Sequence, residues 1–141
     1  VIGWGMRQVE FIPVDRGKLK GGRRSIQRAV GLIREKGYSF LIFPEGTRSR
    51  DGRLQAFRRG GFFLALESKV PIIPVSITGT FELMPKGAFF VRRGRVRVLF
   101  RPPVPVQGTT RESLQELMEK VRGIILEGVD PPPDSQRGEK R

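Results

Sequence analysis

Apolar positions along the chain fall into blocks with two different periods. In RRSIQRAVGLIREK, Ile26, Ala29, Val30 and Ile33 recur at helical spacing, and Gly37 follows as a stop, so this stretch predicts a helix. RRGGFFLALESK predicts a second helix with Phe62, Phe63, Leu64 and Leu66 inward. The clearest periodicity is in TTRESLQELMEKVRGIILEG. There Thr109 and Glu112 have the spacing of a capping box, and Leu114, Leu117, Met118, Val121 and Ile125 form one stripe. Shorter runs lie between these helices. YSFLIF, ending at Pro44, and VPIIPVSITG read as buried strands, and residues 9–14 read as a strand delivering Asp15 and Arg16 at its end. AFFVRRGRVRVLF alternates as a half-buried hairpin, with Val96, Val98 and Phe100 on one face and Arg95 and Arg97 on the other.

Strands and helices therefore alternate, which predicts an α/β fold: a layered mixed sheet flanked by helices, with ligands at loops leaving the strand ends. At 141 residues and 15.9 kDa the chain supports one modest core. Residues 1–128 read as a single domain, and the Pro-rich, charged stretch at 129–141 reads as a disordered tail. No internal repeat is present.

Charge changes this picture. Lys and Arg total 27 against 14 Asp and Glu, a formal +13, which favours an anionic partner: nucleic acid, an acidic membrane surface or a phosphorylated small molecule. There is no cysteine, so disulfides, thiolate metal sites and a cysteine nucleophile are excluded. There is no histidine either, which removes the commonest general base and any Ser-His-Asp triad. No apolar stretch reaches the ~18 residues that span a bilayer. The first residue is Val1 and the opening phrase VIGWGM carries no charged leader, so an N-terminally truncated chain is expected.

The candidate chemistry sits in FPEGTRSRDGR at 43–53, where an apolar run ends in a Pro-Glu-Gly corner followed by Arg48, Arg50 and Arg53. Gly46 allows close backbone approach, and amides exposed in a tight turn make a positive concavity. Arg48 offers a planar fork to a phosphate. Glu45 either holds the Arg48 guanidinium or orients the loop, because a carboxylate would repel the phosphate itself. A solvated basic turn without a ligand fits the same residues. A Walker phosphate loop does not, since its lysine-Ser/Thr pair is missing.

FPEGTRS at 43–49 and VPIIPV at 70–75, preceded by FIPVDR at 11–16, resemble the blocks of the glycerolipid acyltransferase family, specifically the 1-acyl-sn-glycerol-3-phosphate acyltransferases. The blocks occur in family order. The resemblance implies a glycerol-3-phosphate acyltransferase-like fold and a substrate phosphate held by Arg16, Glu45, Gly46, Thr47 and Arg48. It also implies that Val70, Pro71, Ile72, Ile73, Pro74 and Val75 border the substrate site, although packing alone explains a proline-bounded core strand. The family's catalytic histidine and aspartate, separated by four intervening residues and upstream of the arginine motif, are absent, so the chain alone is expected to transfer no acyl group.

The activity implied is transfer of a fatty acyl group to lysophosphatidate, giving phosphatidate. It needs no metal and no cofactor, with acyl-CoA or acyl carrier protein supplying the thioester. Expected partners are those two substrates and an anionic membrane surface at the cytoplasmic face, met by Arg23, Arg24 and Arg28 with residues 92–97. Glycerol 3-phosphate or another lysolipid is an alternative acceptor. A non-catalytic homologue and a basic nucleic-acid-binding module are alternatives of another class, the last disfavoured because its aromatics fall on predicted buried faces.

Overall fold

The computed structural model describes residues 19–129, and its elements are four helices and two strands. They are α1 (Leu19–Lys36), α2 (Gly60–Ser68), β1 (Val75–Thr78), α3 (Thr80–Leu83), β2 (Arg97–Phe100) and α4 (Leu114–Leu126). The strand expected at 9–14, Arg16 and residues 130–141 of the expected tail lie outside the described residues.

Helix α1 ends where the glycine predicts. Gly37 takes φ of 68° and its N–H donates to the Ile33 carbonyl at 3.1 Å, an αL cap that satisfies one of the last carbonyls. Ala29 is buried, while Ile26, Val30 and Ile33 are half-buried where α1 packs on α2. Arg23, Arg24 and Arg28 face solvent. Helix α2 buries Phe62, Leu64, Ala65 and Ser68, with Phe63 and Leu66 packed against the core's edge.

The core itself is built around α4. Its stripe of Leu114, Leu117, Met118, Val121 and Ile125 is buried in full and packs on Phe62, Ala65, Val104 and Val106. The expected capping box does not form: α4 begins at Leu114, and its N-cap residue Ser113 makes no side-chain cap hydrogen bond. Thr110 N–H donates to Ser113 Oγ at 3.0 Å and Ser113 N–H to Thr110 Oγ1 at 3.3 Å, so the reciprocal pair is Thr110 and Ser113 rather than Thr109 and Glu112. The Thr109 N–H is already taken by a turn to Val106.

β1 and β2 pair antiparallel, with Val75 opposite Phe100 and Thr78 opposite Arg97. The VPIIPV block extends this pairing only in part: Ile72 exchanges two hydrogen bonds with Val104, at 2.9 and 2.7 Å, and Pro74 accepts from Arg101. Pro71 and Pro74 have no N–H to give, which confines the regular strand to the four residues after them. Ser76 donates to the Ile125 carbonyl at 2.8 Å and thereby docks the inner face of β1 on α4.

Two further expectations fail. Residues 38–43 form no strand, and Leu41 and Phe43 are 73% and 63% exposed; among the described residues no strand pairs with them. The hairpin at 88–100 also does not form. β2 pairs with β1 instead, and Arg92 N–H donates to the Leu83 carbonyl at 2.8 Å, which closes residues 84–91 into a loop. On β2 the face toward α4 carries Leu99, which approaches Gly128, whereas Val98 and Phe100 stand on the open face. The mixed α/β class holds, with a small antiparallel sheet.

Candidate acceptor-phosphate site

The loop from Phe43 to Arg58 is closed at its base by backbone. Gly46 N–H donates to the Phe43 carbonyl at 3.0 Å, making the corner, and Arg58 N–H donates to the Pro44 carbonyl at 2.8 Å. Gly46 has φ of 67°, and a Cβ there would lie 2.8 Å from Arg58 Nε. The positive φ calls for glycine, whereas the exposed Arg58 side chain is free to give way.

The carboxylates hold this loop together. Glu45 Oε2 accepts from the Gln55 N–H at 2.7 Å, spanning ten residues. Of the two roles open to Glu45, the structure shows the orienting one; among the described residues no ion pair joins it to Arg48. Asp51 Oδ1 accepts from Ser49 Oγ at 2.8 Å, from Arg53 N–H at 3.1 Å and from Gln55 Nε2 at 3.3 Å. The Ser49 hydroxyl, followed by the Arg53 amide, holds the Asp51 carboxyl below its ordinary pKa, because these donors favour the charged form. The acids are thus spent on the loop's own amides and hydroxyls.

The loop frames an open cavity of about 240 Å³ lined by Thr47, Arg48, Arg50, Asp51, Gln55 and Lys86. Thr47 and Arg48, expected from the sequence, both line it, with Glu45 and Gly46 shaping the corner behind. Lys86 was not expected. It arrives from the 84–91 loop, and its Nζ donates to Thr47 Oγ1 at 3.3 Å. No local signal in the sequence marks it, since thirty-nine residues separate the two partners. A second contact lies beside it: a Cβ on Gly52 would sit 3.2 Å from the Phe81 ring, so α3, which leads into the 84–91 loop, packs on the site loop.

VPIIPV does not line this cavity. Pro74 is fully buried, Ile72 packs against the core, and Ile73 is exposed, so the block serves packing beside the site. Cations cluster where anions are spent: Arg48, Arg50, Arg53, Arg58 and Arg59 are all exposed around the loop. Such an arrangement suits a phosphomonoester, whose oxygens accept from guanidinium forks and an ammonium together.

The chain belongs to the acyltransferase family, which it matches over residues 1–78, a span that contains the whole loop. Among its relatives, the 1-acyl-sn-glycerol-3-phosphate acyltransferase of Limnanthes douglasii is 36% identical over 126 residues, 89% of this chain and 44% of that protein. The chloroplastic enzyme of that name from Arabidopsis thaliana, LPAT1, is 36% identical over 131 residues, 92% of this chain and 35% of its own. The crystal structure of the 1-acyl-sn-glycerophosphate acyltransferase PlsC from Thermotoga maritima is similar with a TM-score of 0.67 at 32% identity, covering 84% of this chain and 47% of that one. The chain spans less than half the length of each of these relatives.

Proposed function

We propose that this chain is the acceptor-binding part of an enzyme that acylates the free hydroxyl of 1-acyl-sn-glycerol 3-phosphate, giving phosphatidate. The acyl group comes from a thioester, either acyl-CoA or acyl carrier protein. In the reaction the acceptor oxygen forms a bond to the acyl carbon, the carbon–sulfur bond breaks, and the thiol leaves. The hydroxyl proton passes to a base. This chain has no histidine to take it, and the roles assigned to its residues are binding and orientation. The enzyme acts at a membrane, on the cytoplasmic face, where its cationic surfaces meet anionic headgroups.

One observation carries the reading: Arg48, Arg50 and Lys86 share a cavity with Thr47, while both nearby carboxylates are engaged by donors of the loop itself. That leaves the site a positive field for a phosphate dianion. The relatives whose names specify a glycerol-phosphate acceptor match the chain across this loop.

Calorimetric titration with short-chain lysophosphatidate, below its micelle concentration, tests it on the chain itself. Lysophosphatidate should bind and the matching monoacylglycerol should not. Arg48→Lys keeps the charge but loses the planar fork, so affinity should fall roughly ten- to a hundredfold, the worth of one charge-assisted hydrogen bond. Equal affinity for the phosphorylated and unphosphorylated lipids would return the loop to a basic turn.

A further inference from the structure

The 84–91 loop presents a surface that the acceptor site does not account for. Phe89 is 94% exposed, Phe90 is 85% and Val91 is 70%, so adjacent aromatic rings stand almost wholly in water. Scattered exposed apolar residues need no explanation, but a contiguous aromatic tip does. The tip is also constrained. Arg92 N–H on the Leu83 carbonyl and Ala88 N–H on the Pro85 carbonyl fix its two sides. Lys86 precedes the rings and Arg92, Arg93 and Arg95 follow them, all exposed, and no acid occurs between Glu82 and Glu112.

Aromatic rings projecting beyond a collar of cations match one occupant above others. At a lipid interface the rings enter the boundary between headgroups and acyl chains, while lysine and arginine remain at the depth of anionic headgroups. A nucleic acid would reward the cations, but it would stack on rings lying within a groove rather than at a projecting tip. A second protein copy would have to place its own +13 charge against this one. Charge complementarity therefore selects the anionic membrane.

We infer that Phe89, Phe90 and Val91 form an interfacial anchor that inserts into an anionic lipid surface and sets the acceptor cavity at headgroup level. The inserted loop carries Lys86, whose Nζ bonds to Thr47 in the cavity wall, and α3, which leads into the loop, packs on Gly52. A lysophosphatidate in the membrane holds its phosphate in that same headgroup layer. It enters the cavity sideways, without its acyl chain crossing water; this consequence, though not the insertion, rests on the acceptor reading above.

Insertion is tested on the full chain with vesicles of phosphatidylcholine and phosphatidylglycerol that contain no lysophosphatidate. Phe89→Ser combined with Phe90→Ser should weaken vesicle partitioning roughly ten- to a hundredfold, since burial of each ring contributes to it. Circular dichroism should be unchanged, as both side chains are already exposed. A Phe90→Trp probe, with the single tryptophan removed by Trp4→Phe, should shift to the blue and be quenched by lipids brominated along the acyl chains. This readout stands even if the serine variant folds poorly.

Parental partitioning by the serine variant, or a probe that is not quenched, overturns the anchor while leaving salt-dependent membrane attraction in place. No binding of the parent chain to anionic vesicles removes the membrane reading with it. Self-association of the parent that the serine pair abolishes makes the tip a contact between copies and also overturns the anchor. None of these results touches the lysophosphatidate titration, which fails or succeeds separately.

Discussion

Helix α4 and the run at 38–43 are both apolar, yet they occupy opposite environments. Leu114 and Val121 are 2% exposed, whereas Leu41 is 73% exposed and Phe43 63%. The difference lies in what faces them. The stripe of α4 meets Phe62, Ala65, Val104 and Val106, which supply a complementary surface from two other segments. In the run at 38–43, Ile42 lies against Gly61 of α2, while Leu41 and Phe43 stay exposed. An apolar run is a demand for a partner. Whether the demand is met depends on residues far away in sequence.

Truncation should break the comparison or confirm it. Leu117→Ala should cost about 2–5 kcal/mol of stability, because it removes buried methyl groups and leaves a cavity that α4 cannot fully close. Leu41→Ala should stay within about 0.5 kcal/mol, the range for exposed positions. Urea unfolding followed by circular dichroism measures both. Comparable losses at the two positions would mean that 38–43 is buried in solution.

Glycine substitutions sharpen the same contrast with a smaller effect and a change of sign. Gly123 lies exposed in α4, with nothing within 4 Å of an added Cβ, so Gly123→Ala should stabilise by about 0.5–1 kcal/mol through helix propensity. Gly46→Ala should destabilise by about 1–2 kcal/mol, the cost of holding alanine at a positive φ. It should also weaken lysophosphatidate binding, since the corner carries Thr47 and Arg48 into the cavity. A stabilising Gly46→Ala would show that the corner is free to move.

These contrasts mark how far the sequence could be read. All five stripe positions of α4 are buried as periodicity predicts, because a helix repeats its geometry and its pattern is local. Gly37 and Gly46 are legible for the same reason: each sets a conformation within its own turn. Apart from the local cap before α4, the failures involve partners distant in sequence. β2 was expected to pair within its own hairpin but pairs with β1, and Lys86 reaches the site from thirty-nine residues beyond Thr47. Asp51 was visible as a residue, but its role depends on a side-chain rotamer that also engages Ser49 and Gln55. Short strands bounded by prolines carry too little pattern to name their neighbours.

The smallest expected effect concerns two exposed carboxyls, one in the site loop that follows 38–43 and one just before α4. Asp51 in the site loop is held below its ordinary value of 3.8, first by the Ser49 hydroxyl and then by the Arg53 amide. Glu112, just before α4, is held below 4.5, first by the Thr110 side chain and then by its own amide. In both, the folded pKa is lowered, so the interaction is fully present above the ordinary value and is lost as pH falls through the lower, folded value. Because both groups are fully exposed, global stability near neutral pH should not respond. The local signal should. In an NMR titration the Arg53 amide should move with a midpoint below 3.8, reporting the loss of its carboxylate acceptor. Asp51→Asn should abolish that titration while Glu112 still titrates as before, because among the described residues no hydrogen bond links the two. An Arg53 amide that titrates at or above 3.8 would mean that Asp51 does not organise the loop, and the cavity's arginines would then lack the scaffold on which the phosphate site depends.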